Sequence, residues 1–153
     1  MKRNDRLSVA LHVLLHMVER DGGPMTSAEM AACVDTNPVV IRRTFAGLRE
    51  AGIVRSDKGH GGGWRLGRPP SEITLAEVQQ ALGERMVALA AHEESPGCLV
   101  ERAVIAAVDD AMREAERVVE RRLAALTLAD LASDVRKLAR ATGHSLKEMP
   151  HVV

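Results

Sequence analysis

Apolar residues recur along the N-terminal third of the chain with the spacing of amphipathic helices. A first helix is predicted over residues 5–20, and its apolar face carries Leu7, Leu11, Leu14, Leu15 and Val18. Residues 26–29 (T-S-A-E) form a capping box, which predicts a short second helix ending near residue 34. Asn37 as a cap and Pro38 as the first helical residue predict a third helix to about residue 51, followed by Gly52 as its C-terminal cap.

After Gly52 the pattern changes to two short strands around a glycine-rich turn. Residues 53–56 and 64–66 predict the strands, and Gly59, Gly61, Gly62 and Gly63 lie between them. A nucleotide-binding loop is disfavoured because its glycines precede a helix, whereas here a strand follows. A flexible linker is disfavoured because Trp64 and Leu66 alternate as in a half-buried strand. The pattern therefore predicts a β-hairpin directly after the third helix, which is the arrangement of a winged helix.

The second half of the chain predicts further helices. A second capping box at residues 74–77 begins a fourth helix that ends near Gly83, and residues 86–91 have a weaker helical pattern. A fifth helix begins near residues 95–98 and ends near residue 126, and a final helix ends at Gly143. We therefore expect a winged helix-turn-helix domain, a connecting or sensor loop, a dimerisation helix with a short final helix, and a flexible tail, at residues 1–84, 85–97, 98–143 and 144–153.

The fifth helix carries a narrow stripe of small apolar residues between charged faces. Its members are Val100, Val104, Ala107, Ala111, Ala115 and Val118. Such a seam between charged flanks is typical of a helix that packs against a copy of itself. An internal bundle helix is the alternative, and it is disfavoured because nearly 30 residues, about 43 Å of helix, exceed what a small domain covers. We therefore predict a homodimer paired through this helix.

Composition supports a mainly α-helical protein and shows where its charge lies. The 153 residues are 46% hydrophobic and 1% aromatic, and their formal net charge is zero. Residues 36–68 nevertheless contain seven basic and two acidic side chains, a local charge of +5 (7 − 2). No apolar run approaches the roughly 18 residues that span a membrane, and the N-terminus lacks a secretory signal, so we expect a cytoplasmic protein. A basic segment in a neutral chain points to nucleic acid.

The helix-turn-helix and the hairpin predict which residues contact duplex DNA. On the third helix Ile41, Phe45 and Leu48 share one face and should be buried, which leaves the other faces for DNA. The residues predicted to meet major-groove bases or nearby phosphates are Asn37, Val39, Arg42 and Arg43. Those predicted to follow the minor groove are Lys58, His60, Gly61, Gly62 and Gly63. Those predicted to contact mainly phosphate are Arg49, Arg55 and Arg65.

Several stretches of the chain resemble the Rrf-type winged-helix transcription regulators, the bacterial family that includes the IscR, NsrR and CymR proteins. The most specific stretch is G-H-G-G-G-W-R-L at residues 59–66, followed by R-P-P at residues 68–70 and I-T-L at residues 73–75. Further similar stretches lie at residues 6–11, 37–43 and 51–54. Residues 37–43, together with P-G-C at residues 96–98, are most similar to the cluster-less YwnA-like branch.

The resemblance implies a homodimeric, DNA-binding transcription regulator, usually a repressor, whose two winged helices read a roughly palindromic site. Many members hold an iron–sulfur cluster through three closely spaced cysteines after the fourth helix. Here that region holds only Cys98, so we expect no cluster, no other cofactor and no metal.

The cysteines and histidines leave alternatives open. Cys98 lies near the start of the fifth helix, where it is either a sensor of oxidants or electrophiles that releases DNA, or a small apolar residue under the loop. Cys33 is expected in the core. His12 and His16 have i, i+4 spacing that can chelate a metal, but no acidic or cysteine partner supports them.

An alternative function is a winged-helix module that binds a small molecule or a protein without direct DNA readout. The charge of residues 36–68 favours DNA over this alternative. An enzyme is disfavoured because the sequence offers no nucleophile–base pair and no catalytically spaced pair of carboxylates.

Overall fold

The computed structural model describes residues 5–20, 22–83 and 98–143. Its elements, in order, are α1 (Asp5–Glu19), α2 (Ser27–Cys33), α3 (Pro38–Glu50), β1 (Val54–Asp57), β2 (Gly63–Leu66), a 3-10 turn (Pro70–Glu72), α4 (Leu75–Leu82), α5 (Leu99–Ala124) and α6 (Leu128–Thr142). The predicted mainly α-helical fold with a two-stranded antiparallel wing is confirmed. The predicted helical pattern at residues 86–91, the loop after it and the tail lie outside the described residues.

The predicted capping boxes are present and set where the helices begin. The Thr26 side chain accepts a hydrogen bond from the Glu29 amide, and the Glu29 carboxylate accepts one from the Thr26 amide at 2.7 Å. This backbone hydrogen bond, with the Arg20 guanidinium also bonded to the carboxylate, lowers the pKa of Glu29 to about 2. The box at residues 74–77 begins α4, and a third at residues 127–130 begins α6.

The core face of α1 agrees with the prediction in part, since Leu7 and Leu14 are buried. Three residues that the predicted stripe does not contain are also buried: Ala10, Val13 and Met17. Leu11, Leu15 and Val18 are only half-buried. The difference arises because α1 packs against α2, α3, α4, α6 and β2, so a wider arc of the helix is covered than one apolar stripe.

The final helix returns to the winged helix. Leu128 and Ala132 of α6 are buried, and the Arg136 guanidinium lies 2.8 Å from the Glu19 carboxylate of α1. At the corner between α5 and α6, the Leu75 amide donates to the Leu126 carbonyl and the Leu128 amide donates to the Ile73 carbonyl, both at 2.9 Å. The division of the chain at residues 84 and 98 stays a prediction, but α6 shares a core with α1.

At 15 residues, α6 is as long as α1, so the final helix is not short. No helix in the described ranges is both long and apolar enough to cross a membrane.

Close contact between α3 and α4 requires a glycine. A Cβ atom added at Gly47, in the interior of α3, would collide with the carbonyl oxygen of Ala81 on α4. Glycine is normally unfavourable inside a helix, so its presence here is explained by the approach of the two helices rather than by local propensity. The contact holds α3 in place from the side opposite the wing.

We expect Gly47→Ala to lower the free energy of unfolding by about 1–3 kcal/mol, because backbone must shift to admit one methyl group. The measurement is urea denaturation, with Ala46→Gly giving the helix-propensity contribution at the neighbouring position. A Gly47→Ala protein as stable as the parent, or more so, would mean that helix propensity decides this position.

Candidate nucleic-acid interface

One face of α3 anchors it and the others are exposed. Ile41, Phe45 and Leu48 are fully buried, as predicted, whereas Arg42 and Arg43 are exposed. The anchored face fixes the helix axis, and the two guanidinium groups therefore extend from a rigid element.

The first turn of α3 is fixed by Asn37. Its side-chain oxygen Oδ1 accepts hydrogen bonds from the Val39 amide at 2.9 Å and the Val40 amide at 3.0 Å. Bidentate recognition of adenine needs both the oxygen and the nitrogen of an asparagine carboxamide. Because Oδ1 is used in capping, Asn37 has only its Nδ2 group to donate outward, and its contact with DNA stays a prediction.

The hairpin pairs as predicted, and its turn is formed by glycines. Val54 lies opposite Leu66, and Asp57 lies opposite Gly63. Gly59 and Gly61 adopt positive φ angles of 97° and 75°, a region that favours glycine. Lys58 and His60 are exposed beside them, and Gly62 lies in the same turn.

Trp64 joins the wing to the helices behind it. Its Nε1 donates a hydrogen bond to the Ser27 hydroxyl at 3.0 Å, and its ring meets the Phe45 ring edge to face at 5.8 Å between centroids. The Arg49 guanidinium lies 6.0 Å from the Trp64 centroid. The backbone of Trp64 also pairs with Met25 in both directions, at 2.8 and 2.9 Å. The wing is thus tied to α2, to α3 and to the segment between α1 and α2.

Sequence reasoning did not identify Ser27 or Met25 as partners of Trp64. The signal that was available was the lone tryptophan in a strand-like alternation, which marks burial but not the partner of the indole N–H.

The seven basic side chains of residues 36–68 divide into two groups. Arg65 donates to the Gly22 carbonyl at 2.8 Å and lies 3.4 Å from the Asp57 carboxylate. Arg68 lies 2.9 Å from the Glu77 carboxylate. Ion pairs between described residues involve none of the other five, which are all exposed: Arg42, Arg43, Arg49, Arg55 and Lys58. Arg65 is partly exposed and its guanidinium is bonded to the protein itself, so its predicted phosphate contact stays a prediction.

The apolar stripe of α5 faces solvent in the single chain. Val100, Val104 and Val118 are 73%, 56% and 53% exposed, and Ala107, Ala111 and Ala115 are exposed as well. Val108, one turn from both Val104 and Ala111, extends this surface. The side of α5 that is partly covered carries Ile105, Met112 and Leu123. The predicted stripe is therefore a continuous uncovered apolar surface.

Cys98 and Cys33 differ in their surroundings. Cys98 is the exposed N-cap residue of α5, so the helix begins just after the thiol rather than around it, and its side chain makes no capping hydrogen bond. Cys33 is half-buried in α2, and burial raises the pKa of its thiol. A chain with two cysteines, one in α2 and one at the start of α5, does not fit a cluster held by three cysteines.

The histidine pair on α1 lies in close contact. The Nε2 atoms of His12 and His16 are 3.1 Å apart, a hydrogen-bond distance. Within the described ranges no group of three or more His, Cys, Asp or Glu side chains is arranged to hold a metal ion.

Comparison with known proteins places this interface in a family. The family model described as "Rrf2: Iron-dependent Transcriptional regulator" matches residues 3–134. The YwnA protein of Bacillus subtilis, provisionally named an HTH-type transcriptional regulator, is 36% identical over 130 residues, which cover 84% of this chain and 95% of YwnA. The HTH-type transcriptional regulator IscR of Aliivibrio salmonicida is 35% identical over 92 residues, 60% of this chain and 52% of IscR.

A solved structure supports the same likeness. A crystal structure of a protein provisionally described as DNA-binding superimposes with a TM-score of 0.65 at 32% identity, and the match covers 83% of this chain and 98% of that one.

We expect Arg65→Ala to lower the free energy of unfolding by about 1 kcal/mol, because it removes the hydrogen bond to Gly22 and the contact with Asp57. Arg55→Ala is the matched control, since Arg55 lies directly opposite Arg65 in the hairpin and is exposed. Its removal takes away a facing like charge, so we expect unchanged or slightly higher stability. Equal losses in urea denaturation would show that the Arg65 contacts do not support the hairpin.

Proposed function

The chain belongs to the Rrf2 family of DNA-binding transcription regulators, and from this premise we propose that it acts as a homodimer on a roughly palindromic duplex site. The two chains pair through α5, and each presents one winged helix to half of the site. By its resemblance to the family, the dimer represses transcription.

The observation that carries this proposal is the uncovered stripe of α5. The helix has 26 residues, a length of about 39 Å, and its exposed valines and alanines form one seam along it. Charged residues border the seam on one side, including Asp110, paired with Arg113. A seam of this length beside a charged flank is suited to a two-fold helix pair.

The DNA-facing side is supported by the five exposed cations on α3, β1 and the wing turn. Arg42 and Arg43 extend from the anchored recognition helix α3 toward the major groove. Lys58, His60 and the wing glycines follow the minor groove, where a backbone without side chains approaches phosphates closely. Arg49 and Arg55 contact phosphates.

The proposal includes no cofactor and no catalytic activity. Two cysteines in separate elements do not supply the three thiolates of a family cluster, and the relatives are transcriptional regulators rather than enzymes. A cytoplasmic location, where duplex DNA is accessible, is part of the same proposal.

Cys98 is the proposed point at which an oxidant or electrophile acts. Its thiol is exposed at the first residue before α5, so a peroxide can oxidise it to sulfenic acid with release of water. A polar group added there alters the start of the dimer helix and weakens DNA binding.

Val104→Glu tests the dimer. A carboxylate placed in the seam opposes its symmetry mate, so we expect sedimentation as a single chain and loss of DNA affinity, whereas the parent sediments as a dimer. Ala106→Glu, an exposed position on another side of α5, is the control and should stay dimeric. A monomeric parent at micromolar concentration contradicts the proposed pairing.

Selection of bound fragments from random duplex DNA, followed by affinity measurements on the selected site, tests DNA readout. We expect Arg42→Ala to lose about 1–3 kcal/mol of discrimination between matched and mismatched sites. Lys58→Ala should keep that discrimination and reduce the slope of log K against log salt by about 0.9, the loss of one phosphate contact. Selection that yields no preferred sequence would favour the module without DNA readout.

Peroxide treatment tests the cysteine. We expect parent protein to lose affinity for the selected site on oxidation and to regain it with a thiol reductant, and Cys98→Ser to be insensitive. Cys33→Ser is the matched control and should respond like the parent, because burial raises the pKa of the Cys33 thiol and keeps it in the less reactive form. An unchanged response in Cys98→Ser excludes Cys98 as the sensor.

A further inference from the structure

The large apolar side chain of Val39 is not part of the hydrophobic core. It lies in the first turn of α3 and is 63% exposed. The buried residues of α3 include Ile41 and Leu48, and with 3.6 residues per turn Val39 lies on the opposite side of the helix. Its backbone amide is held by the Asn37 cap, so the side chain extends from a fixed position.

The neighbours of Val39 are cations. Arg43 lies one turn along the same face, and Arg42 lies beside it, both exposed. Val40, in the same turn, is less exposed at 43% and lies on the side of α3 that carries Gly47, where α4 approaches. One valine flanked by arginines therefore forms the outward surface at the start of the recognition helix.

This combination matches one feature of the DNA major groove. The groove offers a single apolar group, the 5-methyl of thymine, next to phosphates that attract cations. We propose that Val39 is a specificity-determining residue that selects one thymine in each half-site by packing its methyl groups against the thymine methyl. The proposal rests on the proposed function, since it names a base that the α3 surface reads.

Two structural features support thymine over the other bases. The Asn37 oxygen is used in capping, so the first turn lacks the paired acceptor and donor that would read the adenine of the same base pair. Valine is stiff at χ1 in a helix, so its methyl groups are held in one arrangement and little freedom is lost on contact. Cytosine and the purines present no methyl group to this surface.

The test uses the site obtained by selection and replaces its thymines, one position at a time, with deoxyuridine, which lacks only the methyl group. We expect one position in each half-site at which the parent loses about fourfold in affinity, the value of one buried methyl group. Replacement of this thymine in both half-sites should lower the affinity by about the square of that factor. Fluorescence anisotropy at constant salt measures each Kd.

Variants assign the loss to Val39. Val39→Ala should bind the thymine and deoxyuridine forms of that position equally, whereas Val40→Ala, the matched control in the same turn, should keep the loss seen with the parent. The inference is overturned if deoxyuridine at every position leaves the parent's affinity unchanged, or if Val39→Ala keeps the loss. A parent that prefers no sequence at all overturns the proposed function, a separate result from sequence-specific binding without a methyl effect.

Discussion

The indole of Trp64 is where the wing, the recognition helix and the helix before it meet. A buried indole needs a partner for its N–H, and the hydroxyl of Ser27 at the start of α2 is that partner. The Trp64 ring meets the Phe45 ring of α3 edge to face, and the Trp64 backbone pairs with Met25. Since these contacts involve one residue, the wing cannot shift relative to α3 without breaking several of them, and the surface offered to DNA has a fixed shape.

In the hairpin that carries Trp64, two arginines have different structural roles. Arg55 and Arg65 lie opposite each other in the hairpin, yet Arg65 is bonded to Gly22 and Asp57 while Arg55 is exposed. A count of seven basic side chains over residues 36–68 therefore overstates the cations that are available to a partner. The exposed cations lie on α3, β1 and the wing turn, and two of them, Arg42 and Arg43, lie beside the apolar Val39.

Local signals explain what the sequence could predict. The capping boxes, the Asn37-Pro38 start of α3 and the glycine turn are each decided by residues within a few positions, and all are present. The return of α6 to α1, through Leu128 and the contact between Arg136 and Glu19, joins residues more than a hundred positions apart. Nothing near either residue indicates that pairing. The buried face of α1 was predicted only in part, because it depends on which helices cover it: Leu7 and Leu14 are buried as predicted, but Ala10, Val13 and Met17 are buried as well.

The hydrogen bonds at the corner between α5 and α6 have a geometric consequence. They fasten one end of α5 to the beginning of α4, next to the segment that leaves the wing. In the proposed dimer, α5 connects the seam to the winged helix, so a tilt of α5 at the seam moves the winged helix. A tilt of about 10° over a helix of about 39 Å displaces its far end by about 7 Å, close to the rise of two base pairs. The crossing angle of the two α5 helices would thus set the spacing between the half-sites that the dimer can bind.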